Sequence, residues 1–182
     1  TYDTGLLQST VYDIHFKPDG TKLFMCGSAS RKVVGYDLST AWDISTVSTT
    51  PSSEFVDTVA TTSEYVPVSV KLSDDGTKCY VGGAQRNTII QYCLSTAWDL
   101  STATFDDRFA GTSTTGGDMY GIAPLDNGNA MLTANTTQTA VNVFTTTTQN
   151  DFTSGNITDG TNPMYELEVG GYDYYGAQNY SL

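Results

Sequence analysis

Leu38-Ser39-Thr40-Ala41-Trp42-Asp43-Ile44-Ser45-Thr46 returns almost letter for letter as Leu94-Ser95-Thr96-Ala97-Trp98-Asp99-Leu100-Ser101-Thr102. The two copies lie 56 residues apart, and the same step carries Asp19-Gly20-Thr21-Lys22 onto Asp75-Gly76-Thr77-Lys78. A step shared by two separate motifs marks a repeated unit, and periods of this size mean stacked or radially arranged supersecondary structure.

Each unit reads as four strands. In the first, Tyr12-Asp13-Ile14-His15-Phe16 alternates polar and apolar residues, and Lys17-Pro18-Asp19-Gly20 supplies a turn, Pro presetting one corner and Gly allowing positive φ. Leu23-Phe24-Met25-Cys26-Gly27 returns, Lys32-Val33-Val34-Gly35-Tyr36 follows a polar turn, and Ser52-Ser53-Glu54-Phe55-Val56-Asp57 comes after the Trp-Asp segment. The second unit repeats this plan. In a third, Asp151-Phe152-Thr153-Ser154 stands where Asp99-Leu100-Ser101-Thr102 stood, without a tryptophan, and a fourth starts at Tyr165-Glu166-Leu167-Glu168-Val169 and looks incomplete. The expected units are about 10–58, 66–110, 118–155 and a partial 164–182 within one domain, 1–182. The fold class expected is all-β: a β-propeller of four-stranded blades, either four small blades or a segment of a larger ring. A four-bladed ring would let residues 1–7, which read as a final strand, complete the unfinished unit.

Composition agrees. The chain of 182 residues is 38% hydrophobic and 12% aromatic, with 12 Tyr, 7 Phe and abundant Thr, which suits a pleated, half-buried surface. The charge is −12, every Lys and Arg lies at or before Arg108, and the remainder carries seven acids (Asp118, Asp126, Asp151, Asp159, Glu166, Glu168, Asp173). Such a surface repels phosphate backbones and anionic lipid, so no nucleic acid is expected as a partner. No apolar run reaches the ~20 residues that span a bilayer. Thr1 in first position reads as the start of a processed or excised segment.

Few residues offer chemistry. His15 is the only histidine and sits at the repeat position of Lys71, an outward, solvated place on a strand whose Ile14 and Phe16 face inward. The carboxylate pairs Asp74-Asp75 and Asp106-Asp107 are neighbours whose side chains diverge, and Asp75 belongs to a turn, so neither makes an acid–base pair. Of Cys26, Cys79 and Cys93, the last two would face each other across a hairpin turning at residues 84–87, as a cross-strand bridge or as two buried thiols. Asn135-Thr136-Thr137, Asn156-Ile157-Thr158 and Asn179-Tyr180-Ser181 fit the glycosylation triplet, a common chance match in a Thr-rich chain. The run 145–148 reads as an exposed loop. The Trp-Asp segment recurs once per unit, which favours a structural role over a binding platform: Ser39 or Ser95 capping a turn, Asp43 or Asp99 accepting N–H groups, the indole packing between blades. No catalytic or metal-binding residue and no cofactor is expected, and no binding residue stands out.

Phe16-Lys17-Pro18-Asp19-Gly20-Thr21-Lys22-Leu23-Phe24 and Leu72-Ser73-Asp74-Asp75-Gly76-Thr77-Lys78-Cys79-Tyr80 resemble the SPDGTKLYV hairpin of bacterial YVTN-like β-propellers. With the Leu-Ser-Thr-Ala-Trp-Asp segments they are similar to repeats of structural or tail-fibre-type proteins of marine phages, over about residues 10–105. Asp74 in place of the proline departs from the pattern. The resemblance implies a non-enzymatic, extracellular or virion protein for structure or host attachment, its partners being other proteins, copies of itself or a cell-surface glycan, and it carries no catalytic residue across. The alternative is an extracellular propeller enzyme, lactonase- or lyase-like, with its site in the central channel.

Overall fold

The structure, a computed structural model, describes residues 10–48, 54–110, 119–125, 128–135, 141–153 and 164–165. Three four-stranded antiparallel sheets follow one another along the chain. The first holds β1 (Val11–Phe16), β2 (Lys22–Gly27), β3 (Lys32–Asp37) and β4 (Phe55–Asp57). The second holds β5 (Pro67–Leu72), β6 (Lys78–Gly83), β7 (Thr88–Leu94) and β8 (Ala103–Ala110), and the third β9 (Met119–Leu125), β10 (Ala130–Asn135), β11 (Val141–Thr145) and β12 (Met164–Tyr165). Strand order within each sheet is the order in sequence, and β1, β5 and β9 lie side by side. The sheets are therefore blades standing around a common axis, their first strands innermost, as in a propeller.

Period-2 alternation gives each blade two apolar faces, and the seams between blades are the core. Phe24, Cys26, Val33 and Val56 of blade 1 meet Val70, Leu72, Cys79, Val81, Ile90, Tyr92, Leu94 and Leu100 of blade 2. On the far side of blade 2, Tyr80 and Ile89 meet Met119, Ile122, Met131, Phe144 and Phe152 of blade 3.

The recurrent segment closes each blade. Asp43 Oδ1 accepts from the backbone N–H and the hydroxyl of Ser45, and the Thr46 hydroxyl donates to the Asp43 carbonyl; Asp99, Ser101 and Thr102 repeat both arrangements. The cap is thus the aspartate and not Ser39 or Ser95. Trp42 and Trp98 take positive φ (64° and 66°) and donate their N–H to the carbonyls of Gly20 and Gly76. Each indole lies flat on its glycine, where a Cβ would overlap the ring, and Gly20 and Gly76 themselves have φ of 73° and 71°. Glycine is needed there for both conformation and space. In blade 3 Asn150 takes the tryptophan's place, with φ 59° and its N–H on the Gly128 carbonyl, and Phe152 is buried like Leu100.

Three expectations need correction, and one element went unforeseen. Met164–Tyr165 pairs with β11 as the last strand of blade 3, where the sequence suggested the start of a fourth unit. In the run 145–148, Thr145, Thr147 and Thr148 are exposed as expected, but Thr146 is buried and its hydroxyl donates to the Asp151 carbonyl. A short helix, α1 (Thr58–Thr62), capped by Asp57 through the N–H groups of Val59 and Ala60, was not foreseen. Cys79 and Cys93 do not face each other. Cys79 pairs with Tyr92 and Cys93 with Lys78, so their side chains point to opposite faces; all three cysteines are free thiols, and Cys93 is only half-buried. Residues 1–7 and 166–182, and the triplets at Asn156 and Asn179, lie outside the described residues.

The two tryptophans differ in what they touch, so their truncations should differ. Trp98 packs on His15 and Phe24 of blade 1, and Trp98→Ala should cost about 3 kcal/mol of unfolding free energy. Trp42 is 60% exposed, and Trp42→Ala should cost about 1 kcal/mol. Urea titrations of both variants at pH 7 measure this, and equal losses would show that the indole acts only within its own blade.

Candidate functional site

The axis-side edges of the inner strands carry the one polar cluster that ties all three blades together among the described residues. Asp13 leaves β1 and reaches the free edge of β5, where its Oδ2 accepts from the Ser69 hydroxyl at 2.7 Å, the Val70 N–H at 3.0 Å and the Lys71 ammonium at 2.7 Å. Ser69 Oγ in turn accepts from the Ile122 N–H of β9 at 3.3 Å. Asp13 and Lys71 are each about a quarter exposed. Burial alone would raise the Asp13 carboxyl, but the hydrogen bonds from Lys71, Ser69 and Val70 outweigh it and hold the group below the usual carboxylate range.

One residue before this cluster the inner strands open into a cleft of about 210 Å³, lined by Tyr12, Val66, Val68, Ala84, Gln85 and Tyr120. A register shift precedes or follows the same position in each inner strand, between Val11 and Asp13, between Pro67 and Ser69, and between the partners of Ala134 and Asn135. Tyr12, Val68 and Tyr120 occupy that bulge, which turns their side chains toward the mouth of the axis. Both tyrosines are exposed. The cleft thus sets two exposed phenol rings beside the Gln85 side chain, whose Oε1 accepts from the Tyr65 N–H at 3.2 Å.

His15 is not the solvated residue that the alternation suggested. It is half-buried in the seam, stacked nearly parallel to the Trp98 indole (8° between planes, 6.4 Å between centres), and its Nε2 is buried without a hydrogen-bond partner. Burial lowers its pKa from 6.5 to about 4; Lys71 adds to the fall, while Asp13 and Asp74 oppose it. The imidazole is neutral at pH 7 but closed off from a substrate. The carboxylate pairs are structural too. Asp75 takes the Ser73 and Thr77 hydroxyls, and Asp106 takes Gln91, Lys78 and the Cys93 thiol. Glu64, which the sequence did not mark, is wholly buried and accepts the N–H groups of Val66, Gln85 and Arg86, anchoring the loop that carries Gln85. No group of three or more His, Cys, Asp or Glu suited to a metal ion occurs among the described residues.

No protein-family model and no curated protein matches the sequence. Solved structures do resemble it. A candidate 6-phosphogluconolactonase of Bacteroides fragilis superposes with TM-score 0.63 at 14% identity over 85% of this chain and 42% of its own. The periplasmic gluconolactonase of Pseudomonas aeruginosa gives 0.57 at 16% over 81% and 39%, and the WD40 repeats of RRP9 give 0.53 at 10% over 75% and 35%. The fold is a β-propeller, all-β, with four-stranded antiparallel blades, and the chain spans about two fifths of the length of these structures. The expectation of a non-enzymatic virion or attachment protein is not upheld: two of these three structures are lactonase propellers and none of the three is a phage protein. No helix among the described residues is long and apolar enough to cross a membrane.

The buried neutral His15 sets an acid limit on the seam. An unfolded chain takes up a proton near pH 6.5 and the folded chain only near pH 4, so this group's contribution is present above pH 6.5 and is lost as pH falls toward 4, by about 2–3 kcal/mol. His15→Phe keeps the stacking and removes the proton site. Urea midpoints at pH 7 and 4.5 should show the variant losing less stability than the parent; equal losses would place the acid sensitivity in the carboxylates instead.

Proposed function

We propose that the chain forms blades of a propeller hydrolase that opens a sugar lactone at the ring axis, outside the cytoplasm. The observation that carries this reading is the ion pair of Lys71 with Asp13, the residue that follows Tyr12 of the cleft on the inner strand of blade 1. The likeness to two lactonase propellers, one of them periplasmic, supports it.

In the reaction a water oxygen bonds to the lactone carbonyl carbon, the ring C–O bond breaks, and the departing alkoxide takes a proton to give the open hydroxy acid. The tyrosines hold the sugar ring across the cleft. The Lys71 ammonium, aimed by its 2.7 Å contact with Asp13, stabilises negative charge developing on the carbonyl oxygen. Asp13 is committed to three donors, so it positions Lys71 and does not act as the base. Asp13 and Lys71 sit on different blades, so the site exists only when the seam is closed.

The protein should hydrolyse glucono-δ-lactone at pH 7 faster than buffer alone, as followed by pH-stat titration. Lys71→Met should lower kcat at least tenfold. Tyr120→Ala, at an exposed position, should raise KM about fivefold with an unchanged melting temperature. A parent protein no faster than buffer would overturn the reading.

A further inference from the structure

Blade 2 holds an amine, a thiol and a carboxylate in mutual contact at the end of β6 far from the axial cleft. Lys78 and Cys93 stand directly opposite each other on β6 and β7. The Lys78 Nζ donates to Cys93 Sγ at 3.0 Å, and both groups donate to Asp106 Oδ2 of β8, the ammonium at 3.3 Å and the thiol at 3.1 Å. The register shift in β8 falls at Asp106 and turns its carboxylate onto the pair. Blade 1 shows what the same place holds in ordinary form. There Lys22 stands opposite Asp37, with Nζ 3.5 Å from the carboxylate. The 56-residue step keeps the lysine and replaces its acidic partner by a nucleophile. The three thiols also differ in access. Cys26 and Cys79 are 0% exposed, and burial pushes Cys26 up to about 12 and raises Cys79 as well. Cys93 is only half-buried; burial raises it too, but the Lys78 ammonium pulls the other way.

We propose that Cys93 and Lys78 are an oxidative modification site, at which hydrogen peroxide joins the two side chains by a sulfur–nitrogen bond. In the first step the Cys93 sulfur attacks one peroxide oxygen: an S–O bond forms, the O–O bond breaks, and the thiol proton passes by way of Asp106 to the departing hydroxide, which leaves as water. Sulfur is oxidised to the sulfenic acid and peroxide is reduced. In the second step the Lys78 ammonium gives a proton to Asp106 or to solvent, and its lone pair attacks the sulfenic sulfur. The S–N bond forms, the S–O bond breaks, and the hydroxyl leaves as a second water with a proton from nitrogen. One thiol, one ammonium and one peroxide thus give one S–N bond, two waters and one proton. Sulfenic acids condense with nearby nitrogen in this way, and here the nitrogen is already in contact. An added thiol reverses the bond, taking the sulfur and releasing the amine. The site adjoins the seam to blade 3. Asp106 also accepts from Gln91 Nε2 at 2.7 Å, and the buried Gln91 accepts the Phe152 N–H of blade 3 at 2.7 Å. This inference does not depend on the lactone reading, since its readout is mass and not turnover.

The folded protein is treated with hydrogen peroxide, the excess is removed with catalase, and the product is weighed intact and mapped with trypsin. The parent should become lighter by two hydrogen atoms and lose one of its three alkylatable thiols. Its map should show residues 72–86, uncut after Lys78, joined to residues 87–108, and dithiothreitol should restore both peptides. Lys78→Arg keeps a positive charge beside Asp106 but has no primary amine. It should give no joined peptide, and Cys93 should gain oxygen atoms instead. Near-ultraviolet dichroism checks that this variant is folded, and the parent's map decides the matter without it. A parent whose Cys93 gains oxygen as the variant's does would overturn the proposal. So would a Cys93 that stays unmodified while methionines oxidise, or one found bridged to another cysteine.

Discussion

A four-stranded sheet that is apolar on both faces has no stable existence by itself. Each blade here shows that condition: Val70, Leu72 and Val81 of blade 2 turn to blade 1, and Tyr80 and Ile89 turn to blade 3. Burial at about 25 cal/mol per Å² is realised only when a second sheet arrives, so the unit of stability is the seam. The described blades have two such seams, and the strand order within each blade is simple because consecutive strands need only meander outward.

The Trp-Asp turn is the device that brings a seam to completion. Its polar letters work locally, Asp99 capping a 3-10 turn and Thr102 closing it. That local order fixes Trp98 in a left-handed conformation over Gly76, and the indole then presents its far side to His15 and Phe24 on the next blade. Local turn chemistry thereby sets an interblade contact. Blade 3 keeps the backbone of the device and changes the side chain: Asn150 repeats the conformation and its carbonyl accepts from the Tyr80 hydroxyl across the seam. The contact becomes a hydrogen bond where it had been a stacked ring.

The repeat made the architecture legible. Turn glycines, alternation and a doubled nine-residue segment are local signals, and they located the strands of blades 1 and 2 closely. The misreadings share a physical cause. Alternation tells which residues lie on the same face of a strand, but it tells inside from outside only when one face meets water. On a blade strand both faces meet protein, so His15, placed outside, lies in the seam beside Trp98. Cys79 and Cys93 failed through register: a difference of one residue puts them on opposite faces. Glu64 was invisible because its partners include the backbone N–H groups of a loop 21 and 22 residues away, which no side-chain pattern records.

Comparison of the inner strands shows where fold and chemistry part. Ile14, Val70 and Ile122 share one register position and stay β-branched and apolar; Val70 and Ile122 are buried in the two seams, while Ile14 is 48% exposed. The adjacent position reads Asp13, Ser69, Gly121, and the next alternate one His15, Lys71, Ala123. These vary in charge, size and hydrogen-bonding capacity from blade to blade. A purely structural repeat has no reason to diversify one set of positions while holding its neighbours constant. Two members of the divergent set, Asp13 and Lys71, hold each other across a seam that needs no ion pair to close. Removing two charges from water carries a desolvation cost that apolar residues at the same places would avoid. The pair is supplied by two blades, Asp13 by the first and Lys71 by the second, and neither blade can position it alone.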